Sequence, residues 1–330
     1  MTPKFGGAAG DAGRRQQPVA GLDAESVGRA CADAVGSLRE ANSGAFKEFA
    51  PFLGPEPVVE LLPYNFLPEW AEDRVGREAL HELAIAGKMV HAQVRWLDKI
   101  ADDLAPRSVL ANVHGLNEAL DNLARARFRS VLGEEKAAPF FAMFAQLYAR
   151  YAASLAVDQA SRGFRGGRLS LEQYVEHAKA RAAPVRAPVD AVLLLIGTSE
   201  EQISEARSCF GWWAAGLQLY DDAIDVEEDF AAGRLSWVVS ETLGALGAHD
   251  MVEDLEEDLF YETALVGGHL VRNLAAAESL FEKALCLAES DFPRCIDYLR
   301  ATLRRTRQYR TDLEELMASV HGTEGHAPAG

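Results

Sequence analysis

The chain has 330 residues, 48% of them hydrophobic and 25% charged, so it holds enough apolar material for a sizeable core and does not have the composition of a disordered chain. A formal net charge of −17 argues against nucleic acid or an anionic membrane as a partner held by charge alone, and an anionic substrate would need local cations. Cys31, Cys209, Cys286 and Cys295 are scattered with no CxxC pair, which argues against a zinc site or disulfide framework and predicts free thiols in a reducing cytoplasm.

The N-terminal stretch MTPKFGGAAGDAGRRQQP is Gly/Ala-rich and lacks the apolar core of a signal peptide. Residues 1–20 and 321–330 are expected to be disordered tails flanking one domain over 21–320. Apolar residues recur at three- and four-residue steps, with Gly and Pro as punctuation. They predict helices over 22–42, 44–53, 70–104, 113–133, 138–162, 170–182, 187–196, 199–231, 235–246, 249–287 (interrupted) and 291–319. Pro184 and Pro188 break what would otherwise run from 170 to 196, and Thr198 or Ser199 can cap the next helix. Alternating strand patterns are absent. The longest apolar run, AVLLLI at 191–196, is too short to cross a bilayer. With no internal repeat and no linker, the expectation is one soluble, all-α, cytoplasmic domain.

Two of these helices run into carboxylates. In GKMVHAQVRWLDKIADDL, residues 87–104, Val90 and Val94 set a row that Asp98 and Asp102 continue, with Asp103 beside them. In LQLYDDAIDVEEDFAAGR, residues 217–234, six carboxylates lie between Asp221 and Asp229. At about 100° per residue, a stripe through Ile203, Ala206, Phe210, Ala214 and Leu217 continues to Asp221 and Asp225, which predicts core-facing carboxylates with Asp229 on the same half of the helix. A solvated charged helix end is the plain alternative. Buried carboxylates need counter-charge, however, and residues 208–233 contain no Lys or Arg. Oxygen ligands at this spacing suit Mg²⁺, which keeps several waters and shares phosphate oxygens of a substrate. Two such clusters facing one another in a helical bundle could hold a group of Mg²⁺ ions on a diphosphate and make it a good leaving group. No nucleophile motif or phosphate-binding Gly loop accompanies them.

These motifs resemble those of the class I isoprenoid synthase superfamily, which spans trans-prenyl diphosphate synthases, squalene/phytoene synthases and class I terpene synthases. Gln218, Asp221, Asp222 and Asp225 match the Q-x-x-D-D-x-x-D of the elongating enzymes, with Gly233-Arg234 in place of their Gly-Lys. Asp221, Asp225 and Asp229 also occupy the metal positions of the cyclase pattern N-D-x-x-S-x-x-x-E. Asp98, Asp102 and Asp103 stand where D-D-x-x-D is expected, but Lys99 replaces its second aspartate. The resemblance implies an antiparallel helical bundle around a central apolar cavity, three Mg²⁺ ions, a prenyl diphosphate substrate and a homodimer. It also implies basic groups for the diphosphate. Arg181, 40 residues before Asp221, resembles the arginine sensor of cyclases, with Lys179 and Arg186 as competitors. Arg307, Tyr309 and Arg310 in RRTRQYR resemble the late Arg-Tyr element.

Elongating enzymes carry an early Gly-Lys-x-x-Arg and an Arg-Arg pair after the first motif, for a second diphosphate. Here that position reads LAPRSVLAN, with Arg107 alone. The primary expectation is therefore a terpene cyclase, most like a bacterial cyclase with unusual motifs. A prenyl diphosphate synthase, a squalene/phytoene-type condensing enzyme and a catalytically inactive partner subunit are the alternatives.

Overall fold

A computed structural model describes residues 24–34, 36, 51, 56–101, 110–165, 168–248 and 255–324. Among the described residues all regular structure is helical, as expected. Nearly all of the helix expected over 44–53 lies outside them, as does the tail expected at 1–20.

Helices α1 (Ala24–Ala34), α2 (Pro57–Glu60) and α3 (Leu62–Asn65) precede α4 (Arg77–Ala101), which carries Asp98. Helix α5 (Leu110–Ser161) is broken at Gly133, where φ is 68°, a conformation that suits glycine and ends a helical run. The two helices expected there meet at this kink. Helix α6 (Leu171–Arg181) starts with a capping box, the Ser170 hydroxyl accepting from the Gln173 amide at 3.2 Å. Pro184 and Pro188 then act as anticipated: a 3₁₀ turn, Ala183–Arg186, separates α6 from α7 (Ala187–Ile196). Ser199 caps α8 (Glu200–Ile224) by accepting from the Gln202 amide. The single helix expected over 199–231 instead stops at Asp225, and α9 (Val226–Ala231) continues after it. Next come α10 (Trp237–Leu246), α11 (Glu257–Val266) and α12 (His269–Asp291); Gly267 and Gly268 supply the interruption expected between 249 and 287. Helix α13 (Pro293–Glu324) passes the boundary expected at 320.

The chain divides into two compact units. The first takes in described residues of Met1–Phe140, Ala187–Thr198 and Phe292–Ala301. Its centre is α4, packed by α1, α2, α3 and α7. A Cβ on Gly87 would lie 2.7 Å from the Pro188 ring, so glycine lets α4 and α7 meet. Burial of Leu83, Met89, Val90 and Trp96 forms the apolar side of α4. The same helix buries Lys88 completely, with its ammonium 3.2 Å from Glu56 and 3.7 Å from the equally buried Glu60. Burial alone would raise the Glu56 carboxyl, but His91 and Lys88 hold it down at about 2.

The second unit takes in Phe141–Arg186, Ser199–Asp291 and described residues of Thr302–Gly330. Helix α8 lies antiparallel to α12 along most of its length. The Cys209 thiol donates to the Ala284 carbonyl, Gly216 faces the Phe281 ring, and the Asn273 amide donates to the Leu219 carbonyl. A Cβ on Gly216 would stand 2.7 Å from Phe281. Beneath α9, the rings of Phe230 and Phe260 stack at 3.9 Å and that of Phe164 stacks on Phe230 at 5.5 Å.

Candidate metal and diphosphate site

The second aspartate cluster lies wholly in the second unit. The expectation that Asp221 and Asp225 face the core is corrected: both are exposed, while Asp222 and Asp229 are buried. The buried seam of α8 against α12 is made of Cys209, Gly216 and Ala223, seven residues apart, with Leu219 between. Leu217, taken as the last apolar member of the stripe, is only half-buried. Asp221 and Asp225 therefore stand one helical turn apart on an open face, with the Asp225 amide donating to the Asp221 carbonyl at 2.8 Å.

Each buried aspartate is held by named partners. Asp222 accepts from the Tyr174 hydroxyl at 2.5 Å and from the Gln218 side chain at 2.9 Å. Burial lifts its carboxyl well above the usual aspartate range, the nearby Asp229 lifts it further, and the two hydrogen bonds pull it back. Tyr174, fully buried opposite, is likewise pushed far up by burial and by the Asp222 charge. Asp229 pairs with Arg234 at 2.8 Å. The Arg234 amide also donates to the Asp229 carbonyl at 2.8 Å. Gly233 has φ of 65°, and its amide carbonyl accepts from Gly163 at 2.9 Å. A Cβ at Gly233 would press to 3.2 Å on the Gly163 nitrogen, so the Gly-Arg pair is a docking turn that carries an arginine to Asp229. Asp225 is raised by partial burial and by Glu228, with Arg234 opposing.

The remaining expected residues fall in several places. Asp98 is half-buried in the last turn of α4, in the first unit, and the ammonium of Lys99 lies 5.6 Å from the centre of the Trp96 ring. Asp102 and Asp103 lie outside the described residues. Arg181 ends α6, 3.4 Å from Asp158, whose carboxylate also meets His177 at 2.7 Å. Arg310 is held by Glu278 at 2.6 Å and by Glu314 at 2.7 Å, and Arg307 by Glu282 at 2.5 Å. Tyr309 instead meets Tyr220, ring centres 6.2 Å apart, and its hydroxyl is raised by burial and by Tyr220, Glu227 and Asp225. Arg305, one turn before Tyr309, is close enough to lower the Tyr220 hydroxyl against the burial that raises it. Sequence reading passed over Arg305; the four-residue spacing to Tyr309 was the signal that could have found it.

Among the described residues no three His, Cys, Asp or Glu side chains converge as a ready-made metal cage. Two exposed carboxylates one turn apart do fit Mg²⁺, which takes one or two carboxylates and completes its shell with water and phosphate oxygens.

The fold is that of the isoprenoid synthases. No protein-family model and no curated protein matches the sequence. Solved structures do match. Heptaprenyl diphosphate synthase from Staphylococcus aureus superposes with a TM-score of 0.69 at 12% identity, covering 87% of this chain and 96% of its own. Octaprenyl pyrophosphate synthase from Helicobacter pylori gives 0.63 at 16%, covering 84% and 97%. A geranylgeranyl pyrophosphate synthase from Corynebacterium glutamicum, complexed with isoprenyl diphosphate and magnesium, gives 0.63 at 16%, covering 88% and 100%. No helix among the described residues is long and apolar enough to cross a membrane.

Proposed function

We propose that this chain is a Mg²⁺-dependent prenyltransferase acting on a prenyl diphosphate. The observation that carries this is the division of labour in the second motif: Asp221 and Asp225 open to solvent, Asp222 clamped by Tyr174 and Gln218. The clamp gives the Gln and the middle Asp of the elongating pattern a purpose. In the cyclase pattern Asp229 would be the third metal ligand, yet it is buried and paired with Arg234. The likeness to three prenyl diphosphate synthases supports the same choice over the cyclase expected from sequence. A bound Mg²⁺ group would neutralise the diphosphate and make it a good leaving group.

In this reading Asp221 and Asp225 would bind metal, and the sequence motif assigns Asp98, Asp102 and Asp103 to metal as well. Tyr174 and Gln218 fix the α8 terminus so that the open carboxylates need not reorganise. Arg181, Arg305, Arg307, Tyr309 and Arg310 are assigned to the diphosphate; Arg307 and Arg310 must first exchange their glutamates for it. Free thiols at Cys31, Cys209, Cys286 and Cys295 suit a cytoplasmic setting.

One observation keeps a cyclase as the second reading: after Asp103 the chain supplies only Arg107 for a second diphosphate. The test is incubation with Mg²⁺ and linear prenyl diphosphates of graded length, with and without isopentenyl diphosphate. Longer linear diphosphates that appear only with isopentenyl diphosphate are the expected result. Cyclic hydrocarbons formed without it would establish the cyclase. If no substrate is consumed, both enzyme readings fall and a partner-subunit role stands.

A further inference from the structure

A second charged feature of the second unit has the opposite sign. A cavity of about 360 Å³ opens among the second half of α5, Lys179 of α6, the 3₁₀ turn and the first half of α8, Ser204 to Trp212. Four cations line it: Arg150, Lys179, Arg186 and Arg207. Among the described residues no acidic side chain lines it, in a chain whose acidic residues outnumber basic ones 50 to 33. Four like charges around one space repel one another, so the protein gives them partial support. The Lys179 ammonium sits 3.3 Å from the centre of the Trp212 ring and 2.8 Å from Glu176. Arg207 donates one N–H to the Met143 sulfur, a weak acceptor, at 2.9 Å. Ser208 adds a hydroxyl at the rim.

Arg207 precedes Asp221 by 14 residues of the continuous helix α8, a separation of about 21 Å at the helical rise. Helix α8 thus carries exposed carboxylates that suit a cation at its C-terminal end and contributes Arg207 to a cation-lined cavity in its first half. Guanidinium forks match the paired oxygens of a phosphate group and bind it without metal.

We propose that this cavity is a metal-independent site for a phosphate-class oxyanion, separate from the aspartate-rich site. Its charge count favours diphosphate over monophosphate, and the proposal does not depend on the prenyltransferase reading.

The test is calorimetric titration of the full chain, in EDTA, with inorganic phosphate, inorganic diphosphate and glycerol phosphate in separate arms. Diphosphate is expected to bind most tightly, and binding should weaken as NaCl is raised. If glycerol phosphate matches inorganic phosphate, the site accepts esters; if it fails to bind, the site is for the free anion. In Arg207→Gln, and in Arg150→Gln at the exposed rim, affinity should fall about tenfold or more, the effect of losing one charge-assisted hydrogen bond. In Asp221→Ala it should be unchanged. The proposal is overturned if diphosphate binds wild type no better than about 1 mM in EDTA, if folded Arg150→Gln binds like wild type, or if Asp221→Ala alone abolishes binding.

Discussion

At the scale of single residues, the second motif separates carboxylates that hold the structure from carboxylates that face outward. Replacing Asp221 or Asp225 by alanine should lower turnover at least about a hundredfold, the order seen when one preorganised electrostatic contact is removed. Far-ultraviolet circular dichroism should show the helices intact, because both side chains are exposed. Asp229→Asn should cost turnover much less than Asp225→Asn if Asp229 serves Arg234 rather than metal; equal loss would return Asp229 to the ligand set. Asp222 makes a prediction about pH. Its folded pKa lies above its unfolded one, so the folded state binds the proton more tightly. The stabilisation is complete below the ordinary aspartate pKa of about 4 and is lost as pH rises through the folded value. In Asp222→Asn this loss should be absent: denaturant midpoints measured in the absence of Mg²⁺ should fall less from acid to neutral pH than in wild type. A steeper fall in the variant would contradict the assignment.

At the scale of elements, the helices were legible and the face of one was not. Pro184, Pro188 and Ser199 mark boundaries through local chemistry, a missing amide or a capping hydroxyl, that needs no knowledge of the neighbours. The stripe on α8 is buried from Ile203 to Ala214, but its continuation to Asp221 and Asp225 failed for a different reason. Its true seam runs through Cys209, Gly216 and Ala223, small residues that carry little hydrophobic signal because their task is to let α12 come close. Larger side chains at Ile203, Phe210 and Leu217 drew attention to another side. The aspartate spacing was legible because a metal site fixes it along one helix. The clamp by Tyr174 was not, since it joins residues 48 apart in sequence. The seam can be tested by paired substitutions. Gly216→Ala drives a methyl into the Phe281 ring and should destabilise the fold by about 1–3 kcal/mol, the range for overpacking. Gly211→Ala meets only the flexible stem of Lys179, at 3.5 Å or more, and should be neutral or stabilising by up to about 1 kcal/mol through helix propensity. Equal thermal midpoints for the two variants would mean that α12 is not the constraint.

At the scale of the whole molecule, the net charge of −17 and the exposed carboxylates Asp221 and Asp225 lead to one expectation about ligands. A partner that binds only the folded chain stabilises it by mass action, about 2.7 kcal/mol at a hundredfold excess over its dissociation constant. Mg²⁺ alone should add little, because two exposed carboxylates compete poorly with water for a strongly hydrated ion. Diphosphate alone should be repelled from the acidic end of α8, and its gain should come chiefly at the arginine-lined cavity. Together they remove both obstacles, since the metal brings positive charge to the aspartates and the phosphate oxygens complete its shell. The thermal midpoint should therefore rise more with Mg²⁺ and diphosphate together than the sum of the separate shifts. That excess should vanish in Asp221→Ala and persist in Arg207→Gln. Strictly additive shifts in wild type would mean that the two ligands do not meet, and the metal-bridged diphosphate at α8 would have to be abandoned.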